Sequence, residues 1–224
     1  MPDRLPLFPL GLVLLPGLLL PLHVFEQRYR TLVEDLLALP EEQRRFGVVA
    51  IRSGREVGAD GVTALHEVGC VAHLRRVVPH EDGRFDLVTT GTDRFRLTGL
   101  ADDAAYPTGV VEWLPDDLGA PDEAALLDLA VRAAFADYLT ALADARDEGA
   151  PDVPDLPGGG LVLSYLVAAS VVVDLEDRQR LLAAPDGVAR LRAELSLLRR
   201  EVTLLRTLTA TPAPELARAP ISLN

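Results

Sequence analysis

The chain has 224 residues, of which 49% are hydrophobic, and its formal net charge is −12. This size and apolar content fit one large or two small globular domains and argue against a disordered chain. The acidic balance argues against binding to nucleic acid or to an anionic membrane, because both need a basic surface. The single cysteine, Cys70, excludes an internal disulfide framework and fits a reducing compartment, so we expect a cytoplasmic protein.

The basic side chains are all arginine, since the 22 basic residues include no lysine. A Ser–Lys dyad, a lysine Schiff base and a Walker phosphate-binding lysine are therefore excluded. Arginine cannot take these roles because its guanidinium does not lose a proton in proteins.

The stretch from Leu5 to Phe25 is strongly apolar and carries no ionisable side chain apart from His23. Four prolines interrupt it: Pro6, Pro9, Pro16 and Pro21. Each interior proline would cost a helix about 3 kcal/mol, so a membrane-spanning helix is not expected. The segment also lacks the basic start and the small-residue cleavage site of a signal peptide. The dipeptide Pro16-Gly17 instead predicts a turn between two strands, at 12–15 and 18–22, buried on both faces.

A helix and several strands are predicted next. Apolar residues at helical spacing predict an amphipathic helix through Tyr29, Leu32, Val33, Leu36 and Leu37. Glu26 and Arg30 are expected to form an ion pair at its start. Short apolar or alternating runs then predict strands at 46–51, 67–78, 84–100 and 106–114. The stretch 84–100 is interpreted as two strands or one long bent strand, with a bulge at Gly91.

The second half of the chain is predicted to be helical. Helices are expected at 123–142 and 161–173, separated by a polar, Pro- and Gly-rich loop. Asp174 and Asp186 are predicted to cap the last two helices. The final helix carries apolar residues at steps of three and four: Val188, Leu191, Leu195, Leu198, Val202 and Leu205. This wide stripe favours packing in an intrachain bundle over a coiled-coil dimer, so we expect a monomer or a weak homodimer.

These elements predict an α+β fold, with a β-rich barrel or compact sandwich that holds one inserted helix, followed by a helical half. We expect a boundary near residue 115, which gives a β-rich subdomain at 1–115 and a helical subdomain at 116–210. The proline-containing segment 211–224 is predicted to be a flexible tail.

Candidate catalytic and metal-binding groups are few. Potential zinc ligands cluster at His66, Cys70, His73 and His80. On a strand, His73 would face away from the other three and the outer histidines would lie far apart, so no metal site is predicted. No G-x-S-x-G nucleophile motif is present. Gly158–Gly160 lacks the lysine and the preceding strand of a phosphate loop, so it is predicted to be a flexible joint.

A family resemblance is carried by four segments in the same order and spacing. The opening residues LPLFPLGLVLLPGLLLPLHVFEQRYR (5–30) closely resemble the signature of the Lon protease N-terminal (substrate-binding) domain family. The resemblance continues through FGVV (46–49), EVGCVAHLRRV (67–77) and GTDRFRL (91–97). The segments SYLVAAS and LEDRQRLL resemble that family's helical subdomain, with looser patterning. The resemblance implies a β-rich pseudo-barrel with one prominent inserted helix, followed by a C-terminal α-helical bundle.

The same resemblance implies binding of unfolded or partly folded polypeptide segments or of a protein partner, without a catalytic residue or a cofactor. Because the sequence contains no Walker motif, we expect an ATP-independent, stand-alone recognition module. A docking subunit for another protease or ATPase and, with support only from the histidine and cysteine cluster, an unrecognised hydrolase remain alternatives. The predicted peptide-binding residues lie where the opening stretch meets the start of the helical half: Leu15, Leu18, Leu20, Leu22, Phe25 and Phe46. The same residues are equally compatible with a plain core.

Overall fold

A computed structural model describes residues 3–54, 62–101, 105–151 and 156–210. The strands in these ranges are β1 (Asp3–Leu10), β2 (Leu19–Val24), β3 (Arg45–Gly54), β4 (Val62–Leu65), β5 (Val68–Pro79), β6 (Phe85–Ala101) and β7 (Thr108–Leu114). The helices are α1 (Gln27–Leu37), α2 (Pro121–Arg146), α3 (Gly160–Ser170), α4 (Leu175–Leu182) and α5 (Gly187–Ala210), with a 3₁₀ turn at Glu41–Gln43. The predicted tail, 211–224, lies outside the described residues.

Five strands close into a ring in the order β1-β7-β6-β5-β3, because β1 pairs with β3 as well as with β7. The β1–β3 pairing is parallel, with Leu7 opposite Gly47, and the other ring pairings are antiparallel. Strand β2 pairs with β6, and β4 pairs with β3. Side chains from all five ring strands form one apolar cluster: Leu5, Leu7, Val49, Val71, Phe95 and Val111. The prediction of a mixed α and β fold with a barrel-like sheet is confirmed.

Of the two strands predicted in the opening stretch, the one at 18–22 largely coincides with β2, and the one at 12–15 is not a strand. Strand β1 precedes the predicted run 12–15, which is an irregular connection with a buried Val13, Leu14 and Leu15. Each half of β1 pairs with a single strand, residues 3–6 with β7 and residues 7–10 with β3. Proline is compatible with pairing on one side only, because it has no backbone N–H to donate to a second strand. The prediction that 18–22 is buried on both faces is also wrong, since β2 alternates between exposed and buried residues.

The long bent strand with a bulge at Gly91 is confirmed. Between the β5–β6 pairs Cys70–Arg94 and Ala72–Gly91, β6 contains one more residue than β5. The bulge also receives the turn at Pro16-Gly17, since Gly17 N donates to Gly91 O at 2.9 Å and Gly91 N donates to Leu18 O at 2.8 Å. A Cβ atom added to Gly91 would lie 2.3 Å from the carbonyl oxygen of Leu15. The turn therefore requires a residue without a side chain at this position.

Helix α1 packs on the ring through its predicted apolar face, with Tyr29, Leu32, Val33 and Leu36 buried. The ion pair at its start differs from the predicted one. Glu26 pairs with Arg28 at 3.1 Å where the spacing predicted Arg30. The guanidinium of Arg28 also lies 4.6 Å from the centre of the Tyr29 ring, so two interactions favour this position.

The helices of the second half begin close to the predicted residues. The caps are confirmed, because Asp174 Oδ1 accepts from Asp177 N and Asp186 Oδ1 accepts from Ala189 N, each at 2.7 Å. Helix α3 ends at Ser170, three residues earlier than predicted, where Val171 adopts an extended conformation. Helices α2, α3 and α4 each contact α5. None of the described helices combines the length and the apolar character needed to cross a membrane.

The two halves meet at Arg94, which is buried to 1% exposure on β6. Its guanidinium donates to the carbonyl oxygens of Leu182 (3.0 Å), Ala184 (2.5 Å) and Pro115 (3.0 Å), and to Asp116 Oδ1 at 3.1 Å. One hydrophobic cluster contains residues from the strands and from α2, α3, α4 and α5. The boundary near residue 115 stays a prediction. The hydrogen bonds of Arg94 connect the segments on the two sides of this boundary.

Candidate polypeptide-binding site

An apolar cleft lies where the end of β1, strand β2 and the start of α1 meet. It encloses about 250 Å³. Its apolar lining consists of Phe8, Pro9, Leu10, Leu12, Pro21, Leu22, Val24, Phe25 and Tyr29, with His23 and Glu26 beside them. We call it the Phe25 cleft.

The floor of the Phe25 cleft is a stack of buried aromatic rings. The rings of Phe8 and Tyr29 are stacked with their centres 4.0 Å apart and their planes 15° from parallel. The ring of Phe46 lies 5.7 Å from that of Phe8, deeper in the core. Because all three side chains are buried, the floor is fixed by core packing before any ligand arrives.

The rim of the cleft is open to solvent at Phe25, whose side chain is 51% exposed. Val24 ends β2 and is buried, while Phe25 is the next residue and points outward, as alternation along a strand requires. Leu12 is also exposed on this rim. An exposed phenylalanine beside an apolar cleft leaves hydrophobic area that a second polypeptide can cover.

The six predicted peptide-binding residues divide into two groups. Leu15, Leu20 and Phe46 are buried, so they support the surface without presenting atoms to solvent. Leu18 and Leu22 are half-buried and Phe25 is exposed. Of these six, Leu22 and Phe25 line the cleft, and Phe46 lies beneath it.

The sequence predicted a site where the opening stretch meets the start of the helical half, and this position stays a prediction. The described lining comes entirely from residues 8–29. The predicted set did not include Phe8, Leu12 and Tyr29, which line this cleft from β1, from the connection after β1 and from α1. The only local signal was the position of Tyr29 on the apolar face of α1, and that face is equally typical of a core residue.

A larger cavity of about 530 Å³ lies at the other end of β1, and four of its ten lining residues are charged, against one in the Phe25 cleft. Asp3, Arg4, Glu42 and Arg45 surround it together with Trp113. The Trp113 ring is held by its own neighbours, since Nε1 donates to Asp3 at 2.5 Å and the Arg45 guanidinium lies 5.2 Å from the ring centre. The Phe25 cleft is therefore the better match for an apolar segment.

Three of the potential zinc ligands, and the hydroxyl of Ser164, contact other groups of the fold. Cys70 is buried, and burial raises the pKa of its thiol far above the ordinary value, which disfavours the reactive thiolate. His66 lies 3.6 Å from Glu176, and His73 Nδ1 lies 3.2 Å from the carbonyl oxygen of Leu74. The hydroxyl of Ser164 donates to Leu161 O at 2.8 Å within α3.

The family of the chain follows from its sequence over almost its whole length. Residues 4–200 match the model of the ATP-dependent protease La (LON) substrate-binding domain. The chain belongs to this family. The resemblance of the opening stretch is thereby confirmed, and it extends through the helical half.

Relatives within the LON family are longer proteins. A Lon protease 2 from Myxococcus xanthus is 28% identical over 92% of this chain and 24% of its own length. A Lon protease from Roseiflexus castenholzii is 30% identical over 91% of this chain and 25% of its own length. The chain thus spans about a quarter of the length of the curated relatives it matches.

Two solved structures share the LON substrate-binding fold. A Lon N-terminal domain protein from Xanthomonas campestris matches with a TM-score of 0.59 and 28% identity, covering 87% of this chain and 98% of that one. The N-terminal domain of the Mycobacterium avium complex Lon protease gives a TM-score of 0.60 at 16% identity, over 90% of this chain and 98% of that one. The second likeness concerns the fold alone.

Proposed function

We propose that this chain is a non-enzymatic module that binds apolar segments of unfolded or partly folded polypeptides in the Phe25 cleft. The observation that carries the proposal is the exposed Phe25 beside an apolar cleft with a fixed aromatic floor. Membership of a substrate-binding domain family supports the same class of ligand. In this proposal the helices of 116–210 form a bundle that holds the β-rich subdomain, 1–115, from one side.

The size of the cleft defines what it can hold. A volume of about 250 Å³ accommodates one or two apolar side chains and not a whole small molecule. Covering the exposed half of the Phe25 ring is worth about 1 kcal/mol, so a single segment binds weakly. Weak contacts of this kind suit a module that samples many unfolded sequences, because affinity then depends on apolar side chains and not on one motif.

The negative charge of the chain predicts a preference among polypeptide ligands. With a net charge of −12, the protein attracts segments that have basic flanks and repels acidic ones. Salt within the physiological range screens such attraction. We therefore expect basic model polypeptides to bind more tightly, and added salt to reduce that difference.

The test is a titration of a reduced, carboxymethylated unfolded protein against the purified chain. We expect Phe25→Ser to weaken binding about fivefold, since about 1 kcal/mol of apolar contact is lost. The matched control is Leu129→Ser, which removes an exposed apolar side chain from α2, away from the cleft. Circular dichroism of both variants checks that the fold is intact. Equal weakening by the two variants, or no binding at high micromolar concentration, would contradict the proposal.

A second candidate function is docking to a protease or ATPase. The matched relatives are named Lon protease, and α2 exposes Leu126 and Leu129 on an apolar surface separate from the Phe25 cleft. In this case Leu129→Ser would abolish capture of a protease partner from a native extract and leave unfolded-protein binding unchanged. Phe25→Ser would have the opposite pair of effects.

A further inference from the structure

Two histidines and an aspartate, from two strands and the turn after a third, converge beside the Phe25 cleft. His23 lies on β2, His80 directly follows β5, and Asp86 is the second residue of β6. Ligand atoms of the three side chains all lie within 4.8 Å of one another. His23 Nδ1 is 2.6 Å from Asp86 Oδ1, and His80 Nε2 is 2.7 Å from Asp86 Oδ2.

The sheet fixes this convergence. His23 is the register partner of Asp86 in the β2–β6 pairing, so their side chains share one face. The tight turn after β5 holds His80, because His80 N donates to Arg84 O at 2.8 Å and Gly83 N donates to His80 O at 2.9 Å. The three side chains are therefore placed by backbone hydrogen bonds and do not depend on a ligand to meet.

We propose that His23, His80 and Asp86 form a binding site for a zinc ion. Two imidazole nitrogens and one carboxylate oxygen are the donor set of three-ligand zinc sites, in which water occupies the fourth position. The side chains of His23, His80 and Asp86 are 47%, 39% and 50% exposed, so water has access to the ion. Small rotations of the two imidazole rings replace the present hydrogen bonds by bonds to the metal.

Neighbouring charged groups determine how tightly the site binds zinc. The two carboxylate oxygens of Asp86 each face one histidine nitrogen, so both oxygens are directed into the cluster. The guanidinium of Arg84 lies close, with Nη1 3.4 Å from His23 Nε2, and opposes a second cation. Arg84 also donates to Asp82 at 2.6 Å, which offsets part of this repulsion. The geometry thus predicts a moderate affinity that removal of the Arg84 charge increases.

The test is calorimetric titration of zinc chloride into the metal-free chain at pH 7.5, with the melting temperature as a second readout. We expect one ion per chain and a rise in melting temperature, because zinc bridges β2 to β6 and to the end of β5. His80→Gln and Asp86→Asn should each weaken binding more than about tenfold, and Arg84→Gln should tighten it.

The control is His73→Gln, which removes a half-buried histidine of β5 outside the cluster and should leave zinc binding unchanged. Circular dichroism shows whether each variant is folded. Two different ligands are substituted so that a local structural effect of one substitution is not mistaken for the loss of a zinc ligand. Absence of saturable binding below about 100 µM zinc would overturn the proposal. So would binding that His73→Gln weakens as strongly as His80→Gln.

Discussion

At the scale of single residues, Glu194 on α5 is the most unusual side chain. It is buried, and its two carboxyl oxygens have no hydrogen-bond partner among the described residues. Arg190, one turn earlier, directs its guanidinium to Leu181 O and Ser164 Oγ, each at 3.0 Å. Burial raises the pKa of Glu194 well above its ordinary value, and the charge of Arg190 only partly opposes this effect.

The pKa of Glu194 predicts how stability depends on pH. The folded chain binds the proton of the Glu194 carboxyl more tightly than the unfolded chain does. The stabilisation from this proton is therefore complete below the ordinary pKa of a glutamate and is lost as the pH rises toward the folded-state pKa. Glu194→Gln removes the titration and should raise the free energy of unfolding at pH 8 by about 1 kcal/mol, with no gain near pH 4. Urea unfolding at both values measures the difference. The exposed Glu148→Gln variant serves as control, and an equal gain at both pH values would contradict the argument.

At the scale of elements, the bulge of β6 positions the turn that leads into β2. Gly91 exchanges backbone hydrogen bonds with Gly17 and Leu18. Strand β2 carries Leu22 into the Phe25 cleft and leads directly to Phe25. The position of the cleft rim therefore depends on a glycine in a distant part of the sequence.

Gly91→Ala should destabilise the fold by about 1–3 kcal/mol, because the new methyl group overlaps the carbonyl oxygen of Leu15. Gly99→Ala on the same strand is the matched control, since its nearest neighbour, Val110 Cβ, would be 4.0 Å away. Chemical denaturation of the two variants gives the comparison. Similar losses for both would mean that strand propensity, and not the contact with Leu15, controls the effect.

Local sequence patterns predicted the features that depend on local chemistry. The period of α1 and the caps at Asp174 and Asp186 are set by neighbouring residues, and all were predicted. The bulge at Gly91 was predicted from a glycine inside a strand pattern, although its hydrogen-bond partners are distant in sequence. Strand β1 was missed because its partners lie at 47–50 and 108–111. The cleft lining and the cluster at His23 depend on the same long-range register, which no local pattern records.

At the scale of the whole molecule, Arg94 connects the strands to the helical half. Its four hydrogen bonds end on Pro115, on Asp116, on Leu182 at the end of α4 and on Ala184 just after it. Gln179 Nε2 adds a buried hydrogen bond to Val68 O at 2.9 Å. Because these contacts are buried and cross the predicted boundary near residue 115, we expect the two halves to unfold together.

Arg94→Met should cost about 3–5 kcal/mol, since it leaves buried acceptors without a donor. The single tryptophan, Trp113, reports on the strands and far-UV circular dichroism reports on the helices, so one urea titration follows both halves. The two midpoints should coincide in the unmodified chain and fall together in the variant. Arg96→Met, on an exposed position of the same strand, should change stability by less than about 0.5 kcal/mol. Separate midpoints in the unmodified chain would show that the halves are independent domains.

The double pairing of β1 has a consequence for synthesis on the ribosome. Translation produces β1 before every other strand of the ring, yet one half of it pairs with residues 47–50 and the other half with residues 108–111. The ring therefore cannot close until β7 has emerged from the exit tunnel. Throughout that interval the nascent apolar segment is a target for chaperones and for aggregation. A module proposed to bind unfolded polypeptides thus passes through a stage in which its own first strand resembles such a ligand.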